Sequence, residues 1–272
     1  MATTGGNQVA LTNVGGSDIP CIGLVAFTGP RNVALAEYTA NAKLGAKRLW
    51  RRARPQRLGN RLKLKDQDTM SNIFILNGAQ PYHFAPGTLN AALVERARGL
   101  LEALGHTVRV TAAAAGYDVN TEVGHHQWAD TIIMQFPVNW MGAPWSFKKY
   151  MDEVYTAGMD GRLCNGDGRR AEAPKKNYGM GGTLTGTQYM LSCTLNAPSE
   201  AFDDPAEPFF SGITLDDLLA PVHLNAKFFG MTPLPTFAAH DVMKNPELDR
   251  DFARFDAHLS AHFQPVPNPE RT

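Results

Sequence analysis

Residues 131–158 read TIIMQFPVNWMGAPWSFKKYMDEVYTAG, and this stretch decides the fold. Its first part, TIIMQFPV (131–138), is apolar at almost every position, as expected of a strand buried on both faces of a parallel sheet. Two prolines, two tryptophans and a glycine follow between Pro137 and Trp145, and an amphipathic run begins at once. A linker between two helices has no use for such bulk. The stretch therefore predicts a central strand, a shaped loop and a helix.

The same alternation of strand and helix extends to both sides. Four more apolar runs predict strands: SNIFILNGA (71–79), HTVRVTAA (106–113), QYMLSCTL (188–195) and MTPLPTFAAHDV (231–242). Helices are predicted over 87–106, 121–130, 145–158, 218–230 and 249–263, the first of them with Thr88 as N-cap and Gly105 as stop. Prolines favour an edge position for the fifth strand. The pattern predicts a flavodoxin-like α/β fold, a doubly wound five-stranded parallel sheet with its ligand beyond the carboxyl ends of the strands.

Charge divides the chain into two unlike segments. The 272 residues have no net charge, yet residues 1–69 carry 11 lysines and arginines against 4 aspartates and glutamates, a net of +7. We predict a disordered basic extension over 1–69 and a complete domain over 70–272. A basic run of this kind can also contact nucleic acid or an anionic membrane, or serve as an organelle address. We expect no nucleic-acid partner.

Cysteine usage and hydropathy bear on the compartment. Cys21, Cys164 and Cys193 are widely spaced and form no CxxC motif, so we expect a reducing compartment and no metal site. No run approaches the roughly 20 apolar residues of a membrane span. We predict a cytoplasmic protein with no integral membrane segment.

The loop after the third strand contains residues suited to pack against a flat ligand. Gly142 allows close approach of the backbone, and Trp140 and Trp145 supply apolar planes. An isoalloxazine ring suits these features. The alternative is that both tryptophans cap the hydrophobic core at the end of the sheet.

Several motifs in order carry a family resemblance. They are NGA (77–79), GTLNAAL (87–93), YDV (117–119), FPVNWMGAPWSFKKYMDEVYT (136–156), KKNYGMGGTLTGTQYMLSCTLNAP (175–198) and FFGMTPLPTF (228–237). Together they resemble the NAD(P)H quinone oxidoreductases of the modulator of drug activity B type, within the DT-diaphorase family of flavodoxin-like enzymes. The resemblance runs from Met70 to about Phe263.

The resemblance implies a cofactor, a reaction and an assembly. It implies bound FAD, NADPH or NADH as hydride donor, and a small quinone as acceptor, in two-electron ping-pong chemistry through the flavin N5. No strong acid or base is demanded of the protein, because the cofactor carries the reaction. It also implies a homodimer with flavin sites between subunits, and exposed aromatic residues in 202–210 would favour such a dimer.

Three loops are implied to hold the FAD, and the candidate residues follow from the matching motifs. The pyrophosphate and ribose loop maps onto Ala85, Pro86, Gly87, Thr88, Leu89, Asn90, Ala91 and Ala92. The isoalloxazine loop maps onto Val138, Asn139, Trp140 and Met141, and a third loop closes over the ring with Thr194, Leu195, Asn196 and Ala197. Tyr178 is expected nearby. Tyr178 and Asn196 are the catalytic candidates, for polarising the quinone oxygen or the reduced flavin; the alternative for Tyr178 is structural packing.

One departure from the family pattern lies in the first loop. Relatives carry a His-Ser pair where this chain has Phe84 and Ala85, with His83 displaced by one position, so two polar phosphate contacts are missing. Elsewhere, the lysine pair of FKKYMDEV is either a clamp for the NADPH phosphate or a solvated helix side. His125 and His126 point to different helix faces, and we predict surface positions for both.

Two other functions are compatible with this fold. An FMN-dependent reductase or electron carrier would prefer a shorter Ser/Thr-rich loop after the first strand, whereas NGAQPYHFAPGTLN (77–90) is long and favours FAD. An ancillary regulatory subunit of potassium efflux also resembles this family and would bind a channel.

Overall fold

The structure is a computed structural model that describes residues 70–267. The extension predicted over 1–69 lies outside the described residues, and the domain boundary at Met70 stays a prediction.

Strands and helices alternate along the described chain. The strands are β1 Asn72–Asn77, β2 Thr107–Ala112, β3 Thr131–Pro137, β4 Gln188–Thr194, β5 Thr232–Pro233 and β6 Phe237–Ala239. The α-helices are α1 Thr88–Ala103, α2 Val119–Trp128, α3 Trp145–Tyr150, α4 Leu215–Leu218, α5 Ala220–Phe228 and α6 Leu248–His262. Short 3₁₀ turns cover Ala113–Ala115 and Ser199–Ala201, and a π turn, Met151–Tyr155, continues α3.

The sheet confirms the predicted flavodoxin-like arrangement. Its strand order is β2-β1-β3-β4-β5, with β6 also beside β4, and every pairing is parallel. The central strand β3 pairs with β4 along its whole length, from Thr131 opposite Gln188 to Pro137 opposite Thr194. All carboxyl ends therefore lie at one edge, where this fold binds its ligands.

The fifth strand is not continuous as predicted. It consists of β5 and β6, which pair with the start and the end of β4. Pro233 and Pro235 have no N–H to donate, so the ladder cannot run through them. Between the pieces, Leu234 N–H still donates to the carbonyl of Tyr189 at 2.7 Å.

Two apolar layers cover the sheet. One face packs against α1 and α6 through residues such as Ile75, Leu93 and Phe255. The other packs against α2, α3 and α5, with Phe136, Phe147 and other side chains fully buried. Full burial of one such side chain contributes about 1.5–3 kcal/mol. The sheet is thus a rigid support for the loops at its carboxyl edge.

The predicted end of α1 is confirmed, but its predicted N-cap is wrong. Gly105 ends the helix as predicted, with φ 90°, while its N–H donates to Glu102 and that of His106 to Leu101, each at 3.0 Å. The prediction of Thr88 as N-cap is wrong. The N-cap is Gly87, whose left-handed φ of 80° suits a residue without Cβ, and Thr88 is the first helical residue.

Candidate functional site

The tip of the loop after β3 is a tight turn with an unusual backbone. Asn139 N–H donates to the carbonyl of Gly142 at 2.9 Å, and Gly142 N–H donates back at 3.1 Å. The two residues between them, Trp140 and Met141, have φ of 47° and 65°. Two consecutive positive φ values define a hairpin turn that normally takes Asn-Gly. Each such non-glycine residue costs about 1–3 kcal/mol, so the turn is strained.

Neither tryptophan of this loop belongs to the core. Trp140 is 96% exposed and Trp145 is 60% exposed. The alternative that both rings cap the hydrophobic core is therefore wrong. A Cβ on Gly142 would meet no atom within 4 Å, so the packing of the chain does not require this glycine. The loop offers an open apolar surface to another molecule.

The loop after β1 ends in a helix start that is free for an anion. Tyr82 and Ala85 close a turn through two backbone hydrogen bonds of 2.9 and 3.0 Å, with Phe84 exposed at its tip and stacked on Tyr82. At Gly87 no side chain caps α1, and its first turn carries no acidic residue. The first amides of a helix lack internal partners and favour negative charge. This terminus suits a phosphate group.

The three residues that follow β4, Leu195, Asn196 and Ala197, present one polar side chain to solvent. Leu195 is buried, and its N–H donates to the carbonyl of Ala239 at 3.0 Å. The Ala197 carbonyl accepts from His240 Nδ1 at 3.2 Å. Asn196 lies between them and is exposed. Of these three residues, only Asn196 has a side chain available to a ligand at this edge.

Two of the predicted cofactor residues turn their side chains inward. Asn90 Nδ2 donates to Thr194 Oγ1 at 3.1 Å, and Gln135 Nε2 donates to Asn90 Oδ1 at 2.8 Å. All three side chains are buried. The side chains of Asn90 and Thr194 therefore bond to the protein interior, and their predicted contact with a cofactor is restricted to backbone atoms.

Tyr178 lies away from the three loops within one chain. Its ring packs edge-on against Phe228, with ring centroids 6.0 Å apart, and the Arg169 guanidinium lies 5.6 Å from the ring centre. Phe228 ends α5 and leads into β5, so this contact is at the amino edge of the sheet. The expected position of Tyr178 near the flavin ring stays a prediction. The Tyr178 ring is 71% exposed, which leaves it available to a second molecule.

The aromatic stretch 202–210 is also less exposed than predicted. Phe202 and Phe210 stack with ring centroids 4.3 Å apart and are buried with Leu195 and Ala238. Phe209 alone of the three is exposed. This stretch consequently gives little support for a dimer.

A cavity of about 280 Å³ lies beside the predicted loops, towards β2. Its lining comprises Gln80, Ala113, Ala114, Gly116, Tyr117, Trp145, Ser146, Lys149 and Glu153. Lys149 Nζ donates to Glu153 Oε2 at 2.7 Å and Tyr117 Oη donates to the same oxygen at 2.6 Å, which holds the pKa of Glu153 below its usual value. Lys148 pairs with Asp152 in the same way. Both lysines thus have acidic partners one turn away, which favours the solvated helix side over the phosphate clamp.

A buried polar cluster beneath α2 escaped prediction. His126 is fully buried and His125 is largely so, which overturns the predicted surface positions. Glu122 accepts from Tyr150 Oη at 2.7 Å and from Thr111 Oγ1 at 2.9 Å. The helical spacing of Val119, Glu122, Val123 and His126 would have revealed this inward face.

Protonation of His126 should destabilise the fold. Burial lowers the pKa of His126 from 6.5 to about 4. Because the folded pKa is below the unfolded one, this stability is present above pH 6.5 and is lost as pH falls towards 4, by about 3 kcal/mol. We expect His126→Phe to have a flatter dependence of unfolding free energy on pH between 6.5 and 4 than the parent, measured by urea denaturation. Equal slopes would contradict this prediction. The other histidines with a lowered pKa contribute equally to both proteins, so their contribution cancels when the variant is compared with the parent.

Two features bear on metals and membranes within residues 70–267. No group of three or more His, Cys, Asp or Glu side chains there is arranged to hold a metal ion. No helix in that range combines the length and apolar character needed to cross a bilayer.

Comparison with known proteins agrees with the fold. Residues 71–263 match a protein family that is described as having a flavodoxin-like fold. The chain is 43% identical over 192 residues to the NADPH:quinone oxidoreductase MdaB of Haemophilus influenzae, covering 71% of this chain and 99% of that protein. An uncharacterized protein of Schizosaccharomyces pombe is 46% identical over 191 residues, which cover 70% of this chain and 96% of that protein.

Solved structures share the architecture at lower sequence identity. A structure from Klebsiella pneumoniae aligns with a TM-score of 0.55 and 23% identity over 72% of this chain and 87% of that one. The NAD(P)H:quinone oxidoreductase from Methanothermobacter marburgensis aligns with a TM-score of 0.50 and 14% identity over 74% of this chain and 100% of that one. The chain belongs to the flavodoxin-like fold family, and within it to the modulator of drug activity B type that its sequence resembles.

Proposed function

We propose that the protein is an NAD(P)H:quinone oxidoreductase that uses FAD in a two-electron ping-pong reaction. The observation that carries the proposal is the strained turn at Trp140 and Met141, which presents an exposed indole beyond the carboxyl end of β3. Strained residues of this kind cluster at active sites and ligand-binding loops. The relationship to MdaB supports an oxidoreductase that acts on a quinone.

The residues at the edge of the sheet suit the two ends of FAD. The uncapped start of α1 at Gly87 supplies amides for the pyrophosphate, and the backbone of Asn139–Gly142 with the Trp140 ring suits the isoalloxazine. FAD is favoured over FMN because the loop between β1 and α1 spans ten residues, 78–87, which suits a long dinucleotide.

The roles of the side chains follow from what each offers. Bound FAD would supply hydride transfer between a reduced nicotinamide and a quinone. Trp140 and Met141 provide apolar surface that keeps water from one side of the site, and the exposed amide of Asn196 donates to a quinone oxygen or to the cofactor edge. The open side of these loops would receive the nicotinamide and the quinone in turn.

A second copy of the chain would complete the site. Tyr178 is distant from the loops of its own chain, and the resemblance implies flavin sites between two subunits. We therefore propose a homodimer in which Tyr178 of one copy reaches the loops of the other. The exposed Met180, close by in sequence, adds apolar area for such a contact.

We also propose that the enzyme acts in the cytoplasm. Cys164 and Cys193 are buried and unpaired, which agrees with a reducing compartment.

One experiment tests the proposed function. The purified protein would be denatured, its released flavin identified by chromatography, and turnover measured with NADPH, NADH and a soluble quinone. We expect FAD, and parallel double-reciprocal lines when both substrates are varied. Release of FMN would favour the simpler reductase, while a protein that binds flavin without turnover would favour a regulatory role.

Restoring the family pair in the first loop should tighten FAD binding. Phe84 is exposed, so Phe84→His with Ala85→Ser disturbs little packing. Each hydrogen bond to a charged oxygen is worth about 1.5–3 kcal/mol before desolvation, so we expect about tenfold tighter binding in calorimetric titration of the apoprotein. Phe84→Ala is the control, because it removes the ring without adding a donor. An unchanged affinity would mean that backbone amides already satisfy the pyrophosphate.

Removal of residues 1–69 should leave the enzyme active. The strands and helices from β1 to α6 and the family match at 71–263 all lie after Met70. We expect a chain that begins at Met70 to keep its flavin content, and its quinone turnover within a few-fold, in parallel assays with the full chain. An insoluble or flavin-free product would place the boundary elsewhere; loss of binding to anionic vesicles alone would make the basic run a tether.

A further inference from the structure

A buried polar chain connects the three elements that carry the site loops. Gln135 lies near the end of β3, Asn90 lies in the first turn of α1, and Thr194 ends β4. Gln135 Nε2 donates to Asn90 Oδ1 at 2.8 Å and Asn90 Nδ2 donates to Thr194 Oγ1 at 3.1 Å. Each residue is at least 96% buried. Three side chains from three distant parts of the sequence thus form one connected unit.

Backbone bonds extend this unit into the loops themselves. The carbonyl of Gln135 accepts from Gly78 N–H at 2.8 Å, where the loop after β1 begins. The carbonyl of Thr194 accepts from Val138 N–H at 2.8 Å, where the loop after β3 begins. Gln135 and Thr194 are therefore bonded to the first residues of the loops after β1 and β3.

The polar chain interrupts an otherwise apolar face. On this face of the sheet, Ile133 of β3 and Met190 of β4 belong to the apolar core, and each lies two residues before the polar positions. Polar residues follow at the carboxyl end, where Gln135 lies in register with Asn77 on one side and Ser192 on the other. Apolar side chains would close this core at lower desolvation cost. Gln135 Oε1 is buried without a hydrogen-bond partner in the described chain, so the network keeps polar side chains at a cost in desolvation. Hydrogen bonds between buried side chains favour one arrangement of the elements that they join.

We infer that Gln135, acting through Asn90 and Thr194, is a positioning residue that fixes the distance between the phosphate end and the ring end of the cofactor site. This inference rests on the proposed function, since it supposes a ligand that spans the loops after β1, β3 and β4. None of the three side chains needs to touch the ligand. Their hydrogen bonds hold the loops in register before the ligand arrives.

The test separates positioning from stability. Gln135→Met keeps the approximate volume but removes the 2.8 Å hydrogen bond to Asn90 Oδ1 and leaves it only the longer contact of 3.4 Å with Thr194 Oγ1, so both melting temperature and flavin affinity should fall. The double variant Gln135→Met with Asn90→Leu removes both amides, so the Thr194 hydroxyl is the one group of the polar chain that loses its partner. We expect this double variant to recover most of the apoprotein melting temperature while flavin binding stays at least tenfold weaker than in the parent.

Ser192→Ala is the matched control. Ser192 is buried beside Gln135 in the sheet, but its hydroxyl makes no hydrogen bond within the described chain. We expect parental flavin affinity and parental kcat/KM from it. Thr194→Val supplies a second break in the chain if Gln135→Met is insoluble, with the same expected loss of flavin affinity.

The readouts are the dissociation constant of FAD from titrated apoprotein, the visible spectrum of the bound flavin, and kcat and KM for the quinone. A double variant with recovered melting temperature and parental flavin affinity would overturn the inference. So would a Thr194→Val variant with parental affinity and spectrum. These outcomes are distinct from failure of the proposed function, in which the parent chain itself would hold no flavin or reduce no quinone.

Discussion

Truncation of Trp140 to alanine should weaken flavin binding by about 10- to 100-fold and leave the melting temperature of the apoprotein unchanged. The ring is 96% exposed, so the folded chain gains almost nothing from it. Burial of an aromatic ring against a flat ligand is worth about 1.5–3 kcal/mol, and 1.4 kcal/mol corresponds to a factor of ten. Fluorescence titration of apoprotein with FAD and thermal melts of the same samples would measure both effects.

Leu224→Ala is the control for this substitution. Leu224 is an exposed apolar residue of α5, away from the loops at the carboxyl edge. We expect parental flavin affinity from it. If Trp140→Ala kept full flavin content and quinone turnover while its melting temperature fell sharply, the ring would have a structural role and the assignment of this loop would be wrong.

Replacing Trp140 and Met141 by Asn-Gly should stabilise the apoprotein and impair the enzyme. Asn and Gly adopt positive φ at much lower cost than Trp and Met, and Asn-Gly is the preferred pair for this turn. After the entropy that glycine loses on folding is subtracted, we expect a gain of about 1 kcal/mol, or about 2–4 °C in Tm. Turnover should fall together with flavin affinity, because the apolar surface is gone.

The chain offers a matched turn for this experiment. Tyr82 and Ala85 close a turn with the same pair of backbone hydrogen bonds, yet neither His83 nor Phe84 has a positive φ. His83→Asn with Phe84→Gly should therefore bring no gain in Tm. A loss of stability at residues 140 and 141, or an equal gain at both turns, would show that backbone strain at Trp140 is not relieved by the substitution.

Patterns within single elements made the fold predictable. The apolar run 131–138, the alternation of strands with amphipathic helices and the stop at Gly105 are local signals, and each led to the right element. Local signals also located the carboxyl edge, because strands that alternate with helices run parallel and all end at the same edge of the sheet.

Features that depend on distant contacts were not predictable from the sequence. The inward turn of Asn90 depends on Gln135 and Thr194, which lie 45 and 104 residues away. The position of Tyr178 depends on Phe228, and no local pattern specifies that pair. The surface prediction for His126 is wrong for a different reason, because the helical spacing of Val119, Val123 and His126 is itself a local signal of an inward face.

The division of the fifth strand into β5 and β6 limits how copies of the chain can associate. On that side of the sheet, a neighbouring strand would meet only two residues of β5 and three of β6, separated by Leu234–Thr236. Pro233 has no N–H with which to extend the sheet, and Pro235 lies in the gap. Short, proline-interrupted edges resist the edge-to-edge pairing that leads to aggregation. Two copies that meet on this side must therefore recognise each other through side chains, whose identity can be specific, rather than through a backbone ladder that any strand could join.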